Sequence, residues 1–442
     1  MSKSLRSLPT YENYRDSGVE CYGSVPAHWK TLANKYIFDL KKNLVGKNSS
    51  RYTLLSLTLG GIIKRDMDNP EGKFPAEFNT YQEVTPGDFV FCLFDVEETP
   101  RTIGLSSLHG MITGAYTVFR PRKKFDEEYL QYLYLSLDSG KRLRFLYKGL
   151  RNTIPKEVFL AFKSLNPPIQ EQKLISRFLS VKTAQIDQAV QTKERQIELL
   201  KERKQILIQH TVTRGLNPRA PMRNSEIEWI GEIPSHWSIK RAKYIFREVD
   251  ERSPDGQQEL LSVSHLTGVT PRSEKNVTMF MSEDYTGSKT CQKDDLIFNI
   301  MWAWMGALGV SDRAGIVSSA YGVYRQLNHG TLNPQYLEML LKTTTYIAHY
   351  NKVSTGLHSS RLRFYSHMFM SMEIGFPSRE EQDAIVAHLG LESEKLNKAL
   401  DLLEQQITKL KEYKVTLINS AVTGKIKVPG VSEPETQDME VA

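Results

Sequence analysis

Three segments of this 442-residue chain imitate motifs that carry catalysis, and each lacks residues that the chemistry needs. Asn166-Pro167-Pro168-Ile169 imitates the Asn-Pro-Pro-aromatic motif around a flipped base, but position 169 is not aromatic and no glycine-rich cofactor turn accompanies it. Val422-Thr423-Gly424-Lys425-Ile426 lacks the first glycine of a phosphate loop and the Ser/Thr after its lysine. Pro254-Asp255 with Glu259 lacks the lysine of a nuclease core. These segments therefore predict a hinge, a loop and a turn.

Two histidine–tryptophan pairs, His28-Trp29 and His236-Trp237, are further candidates for catalysis or base stacking. Both stand in the pattern Gly-x-x-Pro-x-His-Trp, 208 residues apart. Equivalent positions in a repeat favour a shared structural role, so we expect the pairs to pack each domain entrance against its body. Trp302 follows a predicted strand, where an aromatic residue is more typical of core than of a base contact.

The chain is a duplication. The pattern Pro-x-x-x-Glu-Gln begins at Pro167 and returns at Pro377, 210 residues later, so a second pair of anchors follows the first in the same order. A repeat of this kind defines the architecture of the chain. Two copies of one unit account for nearly the whole length.

Each copy begins with a mixed segment and ends with a long helix. Short runs rich in Val, Ile, Leu, Phe and Tyr predict strands at 52–58, 88–94, 112–119, 260–265, 294–300 and 316–325, with short helices at 126–137 and 333–349. After Pro168 and again after Pro377, apolar residues recur at intervals of three and four residues, which is typical of an amphipathic helix. Chain order requires the two long helices to run antiparallel. The predicted fold class is α+β: two similar mixed α/β domains separated by an antiparallel coiled coil, with pseudo-two-fold symmetry.

The seam of that coiled coil is predicted from the apolar stripes. On the first helix it contains Ile186, Val190, Ile197 and Leu200, and on the second it contains Leu396, Leu400, Leu403, Ile407 and Leu410. Lys193 and Lys204 fall on the first stripe, opposite Leu403 and Lys414, and predict positions that either set the register or face the surface.

Composition restricts the partners. The 58 Lys and Arg residues exceed the 51 Asp and Glu residues, which gives a net charge of +7 and favours an anionic partner. Three cysteines without a Cys-x-x-Cys pair argue against a disulfide framework and a structural zinc site, and they fit a reducing cytoplasm. No apolar run of about 18 residues predicts a membrane span.

Two similar domains held apart by helices of roughly 40 residues would be separated by about 60 Å. Duplex DNA is a long anionic object with near two-fold symmetry, and this distance corresponds to roughly 18 base pairs. The architecture therefore predicts two readers of a split DNA target.

The duplicated motifs and the domain–helix–domain–helix order resemble the specificity subunit of a Type I restriction-modification system, over residues 18 to 424. The resemblance implies target recognition domains at 1–165 and 215–376, spacer helices at 166–214 and 377–424, and an acidic, disordered tail at 425–442. It implies a non-catalytic cytoplasmic subunit that binds double-stranded DNA, two methyltransferase subunits and, where present, restriction/translocase subunits. No cofactor is expected on this chain, because S-adenosylmethionine, ATP and Mg belong to the partner subunits.

Candidate DNA contacts lie on loops at equivalent places in both copies. Glycine followed by polar and cationic groups predicts a close approach to phosphates or base edges. The candidates on these loops are Lys148, Arg151, Asn152, Thr153, His358, Ser359, Ser360 and Arg361. Lys64, Arg65, Arg272 and Lys275 are a second set of candidates outside these loops. A basic run at 120–124 is a further candidate for phosphate contacts.

Two other readings remain open from the sequence. One is a degenerate DNA methyltransferase or nuclease, which cofactor binding by the isolated chain would favour. The other is a coiled-coil scaffold whose mixed domains bind protein, which salt-dependent DNA binding would exclude.

Overall fold

The computed structural model describes residues 8–66, 77–275, 284–356, 358 and 361–434. The chain forms two compact units, one made of residues 1–194 and 404–442 and the other of residues 195–403. Each unit contains one mixed domain and about half of each long helix.

The first mixed domain is built from short strands and two helices. Its elements are β1 Tyr14–Asp16, β2 Ser24–Pro26, β3 Lys30–Ala33, β4 Phe38–Lys41, β5 Leu55–Thr58, β6 Gly61–Lys64, β7 Gln82–Val84, β8 Phe89–Phe91, β9 Ile103–Leu105, β10 Gly110–Ile112, β11 Thr117–Pro121, α1 Glu127–Ser139, α2 Lys156–Ala161 and β12 Lys163–Asn166. An antiparallel sheet in the order β4-β11-β8-β9 forms its centre, and the described strands add the antiparallel pairs β1-β2, β3-β12, β5-β6 and β7-β10.

The second mixed domain repeats this plan. Its elements are β13 Met222–Asn224, β14 Glu232–Pro234, β15 Ser238–Arg241, β16 Phe246–Glu248, β17 Leu261–Ser264, β18 Gly268–Pro271, β19 Lys289–Cys291, β20 Leu296–Phe298, β21 Leu308–Val310, β22 Gly315–Val317, β23 Gly322–Gln326, α4 Pro334–Leu341, α5 Thr344–Val353, α6 Ser366–Ser371 and β24 Glu373–Phe376. The sheet order β16-β23-β20-β21 matches that of the first domain strand for strand. The duplication in the sequence is therefore a duplication of the fold.

Aromatic side chains fill the core beneath each central sheet. In the first domain Phe38, Phe91 and Phe159 are buried and their rings lie within 6.5 Å of one another, as measured between centroids. In the second domain Phe298 lies on β20, the counterpart of β8, and Tyr324 lies on the neighbouring strand β23. Both rings contact Phe369. Burying such rings supplies most of the stabilisation that short strands cannot provide alone.

The two long helices are α3, Ile169–Arg214, and α7, Arg379–Val422. A proline precedes each helix, Pro168 before α3 and Pro377 before α7. A glycine with positive φ follows the C-terminal end of each, Gly215 after α3 and Gly424 after α7. Glycine adopts this left-handed conformation without a Cβ penalty, which makes it the usual residue just past a helix C-terminus.

Contacts within the first unit show that the helices are antiparallel. Asp187 of α3 pairs with Lys414 of α7 at 2.6 Å, and Glu194 pairs with Lys411 at 3.6 Å, so rising numbers on one helix meet falling numbers on the other. The predicted α+β class with two mixed domains and paired long helices is confirmed.

The predicted seam residues lie on the inner faces of the helices. Ile186, Val190, Ile197 and Ile407 are buried, and the others are half-buried, namely Leu200, Leu396, Leu400, Leu403 and Leu410. The observed register of the two helices differs from the predicted one, which placed Lys193 and Lys204 opposite Leu403 and Lys414. Lys193 Nζ donates to Gln406 within the first unit and Lys204 Nζ donates to Asn397 within the second, so the stripe lysines are satisfied by amide oxygens.

Residues 425–434 differ from the predicted tail, of which residues 435–442 lie outside the described residues. Val428 and Val431 are buried, the backbone N–H of Lys427 donates to the carbonyl of Pro9, and Lys427 pairs with Glu433 at 2.8 Å. Composition favoured disorder because the carboxylates are frequent, but two valines supply enough apolar contact to hold this segment against the first domain.

Candidate nucleic-acid interface

The repeated motifs meet each other at the entrance of each domain. In the first unit the Glu171 carboxylate accepts hydrogen bonds from His28 Nε2 at 2.9 Å, from Trp29 Nε1 at 3.0 Å and from the Tyr11 hydroxyl. In the second unit Glu381 accepts from His236 Nε2 at 2.8 Å and from Trp237 Nε1 at 3.4 Å. We call each group the Trp–Glu cluster. It explains why the His-Trp and Glu-Gln motifs occur together.

The glutamine of each motif joins the start of a long helix to a short one. Gln172 Oε1 accepts from the N–H of Asp126, the N-cap of α1, and Gln172 Nε2 donates to the carbonyl of Pro167. Gln382 makes the same two bonds with Asn333, the N-cap of α4, and with Pro377. These bonds fix the helix direction at each domain boundary.

Two of the three segments that imitate catalytic motifs lie at the ends of the long helices. Asn166 Oδ1 accepts a hydrogen bond from Gln172 at 3.0 Å, so its amide belongs to the hinge. Gly424 lies at the C-terminal end of α7, where a Cβ would come within 2.3 Å of Pro26. A phosphate loop precedes a helix N-terminus, whose N–H groups point at the anion, so this segment has the opposite polarity.

The closing loops predicted as DNA contacts are each closed by an antiparallel bridge. Lys148 and Thr153 form an antiparallel bridge, as do Thr355 and Arg363. After each loop the chain returns to the end of the central strand, where Ile154 donates to the Leu93 carbonyl. In the second unit Phe364 donates to the Ile300 carbonyl in the same way. Each loop therefore lies at the end of the central sheet of its own domain.

Arg151 of the first loop pairs with a carboxylate of its own domain. Its Nε donates to Asp95 at 2.9 Å and its Nη2 donates to the other oxygen, while the guanidinium stacks on Phe94. Hydrogen bonding to Arg151 lowers the pKa of Asp95. The side chain of Asn152 is also occupied, since it donates to Glu98 at 2.9 Å. These groups are ordered by carboxylates and face solvent with little net charge.

Other loop candidates are exposed. Lys148 is exposed, Thr153 is half-buried, and Leu150 at the loop tip has a side chain that no neighbour covers. In the second loop His358 and Arg361 are exposed, whereas Ser359 and Ser360 lie outside the described residues.

Two candidates predicted separately occupy equivalent places. Arg65 and Arg272 each follow the second strand of a hairpin, β6 or β18, and each donates its backbone N–H to a leucine carbonyl, Leu54 at 2.9 Å or Leu260 at 2.8 Å. Lys64 is exposed at the end of β6. The sequence contained this signal, because Arg65 and Arg272 stand 11 and 12 residues after the first leucine of the Leu-Leu-Ser segment that the copies share.

The second domain gathers several candidates around one cleft of about 680 Å³. Arg272 and Trp302 line it, and Trp302 is 49% exposed with its ring stacked on Trp304. Lys275 lies beside the cleft, with its Nζ 3.2 Å from Ser262 Oγ, and burial and the Arg272 charge lower its pKa. The sequence interpretation missed the polar residues of the lining, which include His265, Tyr285, Ser318, Ser319 and Tyr321.

One of these missed residues had a detectable signal. Tyr321 precedes β23 as Tyr116 precedes β11, in the shared pattern Tyr-x-Val. In the first unit Tyr116 stacks on Phe94, and in the second the Tyr321 hydroxyl accepts from Asn299. Both tyrosines therefore stand where the central strands end.

In the basic run at 120–124, the two arginines form ion pairs within the first domain. Arg120 Nε lies 2.7 Å from the buried Asp88 carboxylate, and Arg325 holds Asp295 in the equivalent position. Arg122 pairs with Asp39. Lys123 and Lys124 are exposed.

Apolar side chains also face solvent on the long helices. In the second unit Leu199 and Ile206 of α3 are 56% and 60% exposed, and Leu391 and Leu402 of α7 are similarly exposed. Leu199 and Ile206 are seven residues apart, so they share one helix face.

Among the described residues, no helix is both long and apolar enough to cross a membrane. The part of the chain that the structure describes contains no group of three or more His, Cys, Asp or Glu side chains placed to hold a metal ion.

Comparison with solved structures defines the fold class. A chain from work on complex assembly and conformational transition of the type I R-M system has a TM-score of 0.59 at 14% identity, covering 90% of this chain and 98% of that one. The HsdS subunit from Thermoanaerobacter tengcongensis has a TM-score of 0.51 at 14% identity, covering 91% and 98%. The architecture is therefore that of HsdS chains.

Curated relatives point to the same family, although no family model matches. The type I restriction enzyme MjaVIII specificity subunit of Methanocaldococcus jannaschii is 23% identical over 322 residues, which cover 68% of this chain and 71% of that protein. The putative type I restriction enzyme MjaX specificity subunit of the same organism is 25% identical over 244 residues, 52% of this chain and 54% of that protein. The resemblance to type I specificity subunits is confirmed.

Proposed function

We propose that this chain is the DNA-binding specificity subunit of a type I restriction-modification complex. Each mixed domain reads one half of a bipartite, gapped target, and the long helices set the gap and dock two methyltransferase subunits. Methylation, ATP hydrolysis and cleavage belong to partner chains that carry S-adenosylmethionine, ATP and Mg, so this chain itself performs no catalysis.

One observation carries this proposal. The two domains share a frame, with the same Trp–Glu cluster, sheet order and hairpin arginine, but the side chains at the sheet end differ. Phe91 and Phe298 are equivalent strand residues, yet the chain continues to Phe94-Asp95 in one copy and Met301-Trp302 in the other. A shared frame with different contact residues is what two readers of two unlike half-sites need.

Methylation sequencing tests the proposal directly. The chain would be expressed with its methyltransferase partner in a host free of other methylation, and each methylated base would be mapped. We expect one bipartite motif with a fixed gap. A contiguous motif, or no methylation beyond that of the methyltransferase alone, would contradict the proposal.

The exposed apolar face on α3 gives a prediction for docking. The double substitution Leu199→Glu and Ile206→Glu places two charges where apolar contact is proposed, so we expect at least a tenfold loss of affinity for the methyltransferase, because burying unpaired charges is costly. Lys201→Glu is the matched control, since it changes the net charge equally and lies about 200° round the helix. Analytical ultracentrifugation of the mixed subunits measures both. Equal affinities for the two variants would show that this face does not dock the partner.

A further inference from the structure

We propose that the cleft of the second domain is its base-reading pocket and that Arg272 reads a guanine there. This inference rests on the proposed function and names one contact within it. The lining residues that carry it are Arg272, Met301, Trp302 and Met305.

Arg272 differs from other arginines of the same domain. Arg252, Arg313 and Arg325 each pair with an aspartate at 2.6 to 2.8 Å. Within the described part of the chain, the Arg272 guanidinium forms neither an ion pair nor a hydrogen bond. A half-buried cation with no counter-charge among the described residues raises the local positive potential, and the nearby Lys275 adds to it. The cleft is therefore suited to a group rich in acceptors.

The backbone of Arg272 is held in place. Its N–H donates to the Leu260 carbonyl at 2.8 Å, and its own carbonyl accepts from Lys275. The residue also opens the short 3-10 helix Arg272–Glu274. A fixed origin lets the planar guanidinium present two parallel donors in one direction, which is the geometry that guanine O6 and N7 accept.

The surroundings favour a base edge over a phosphate. Met301, Trp302 and Met305 line the cleft beside Arg272, and these side chains offer an apolar wall. Trp302 is kept in position by stacking on Trp304, whose Nε1 donates to the Met301 carbonyl at 3.1 Å. An apolar wall excludes water from a base edge and contacts thymine methyl groups, whereas a phosphate would lose hydration there without compensation.

Three variants in the full complex test this contact. Arg272→Gln and Arg272→Lys each lose the bidentate fork, so we expect relaxed recognition at one G·C position of one half-site, with discrimination reduced about ten- to hundredfold. Lys275→Gln should weaken binding to all sequences alike, as expected for a phosphate contact. Lys240→Gln, on β15 outside the cleft lining, is the control with the same charge change.

The readouts separate this inference from the proposed function. Methylation sequencing reports the motif, and binding of each complex to duplexes changed at one position reports discrimination even for a variant that no longer methylates. Absence of a bipartite motif with the wild-type chain overturns the proposed function. A bipartite motif that Arg272→Gln and Arg272→Lys leave unchanged at every position overturns only the role of Arg272. Relaxation confined to one G·C pair supports it.

Discussion

Glu171→Ala is expected to lower the free energy of local unfolding of the first domain by about 3–5 kcal/mol. Glu171 is buried and accepts from Tyr11, His28 and Trp29, so its removal leaves donors without partners where water cannot replace them. Hydrogen exchange followed by mass spectrometry measures the effect, with peptides from residues 8–45 reporting the first domain.

The second unit supplies the matched control. Glu381→Ala should cost only about 1 kcal/mol, because His236 is half exposed and the bond from Trp237 is longer, at 3.4 Å. Glu171→Gln, which keeps one acceptor oxygen, should fall between the two alanine variants. Equal destabilisation of both domains by the alanine variants would mean that the burial of Glu171 does not determine its contribution.

Exchange of residues 1–165 for the equivalent domain of a relative is expected to switch one half-site completely and to leave the other half-site and the gap unchanged. The described loop and hairpin candidates of the first reader all lie within this range, from Lys64 to Thr153. Methylation sequencing of the exchanged complex gives the new motif at single-base resolution.

The design of this exchange must respect contacts with α7. Tyr129 donates to the carbonyl of Val422, and Arg142 donates to Asn419 Oδ1, so the incoming domain should keep both residues. The reciprocal exchange of residues 215–376 is the control and should switch the opposite half-site. A change in both half-sites from either exchange would contradict independent reading by the two domains.

The repeat made the architecture predictable, because two copies of each motif confirm one another where a single copy is weak. The pairing of distant strands was not predictable. β3 pairs with β12, across about 130 residues, and no local property of Lys30–Ala33 indicates Lys163–Asn166 as its partner. Short strands of three or four residues carry too little pattern to choose among neighbours.

In the candidate site, too, some features were predictable from the sequence and others were not. Arg65 and Arg272 were predicted separately by residue type, and the structure puts both at equivalent places, at the end of a hairpin. Arg151 was chosen for its charge, but Asp95, 56 residues away in sequence, neutralises it. A side chain's partner across the fold decides whether its charge is available, and spacing along the chain does not contain that information.

The division of α7 between the two units has a consequence for biosynthesis. The second unit is a continuous stretch, residues 195–403, so all of it has left the ribosome before the first unit is complete. The first unit must wait for residues 404–434, whose Asn419, Val422 and Lys427 contact its mixed domain. Closing so long a loop is slow. We therefore expect the domain that is translated first to mature last, and truncation before residue 404 to leave a folded second unit beside an incomplete first one.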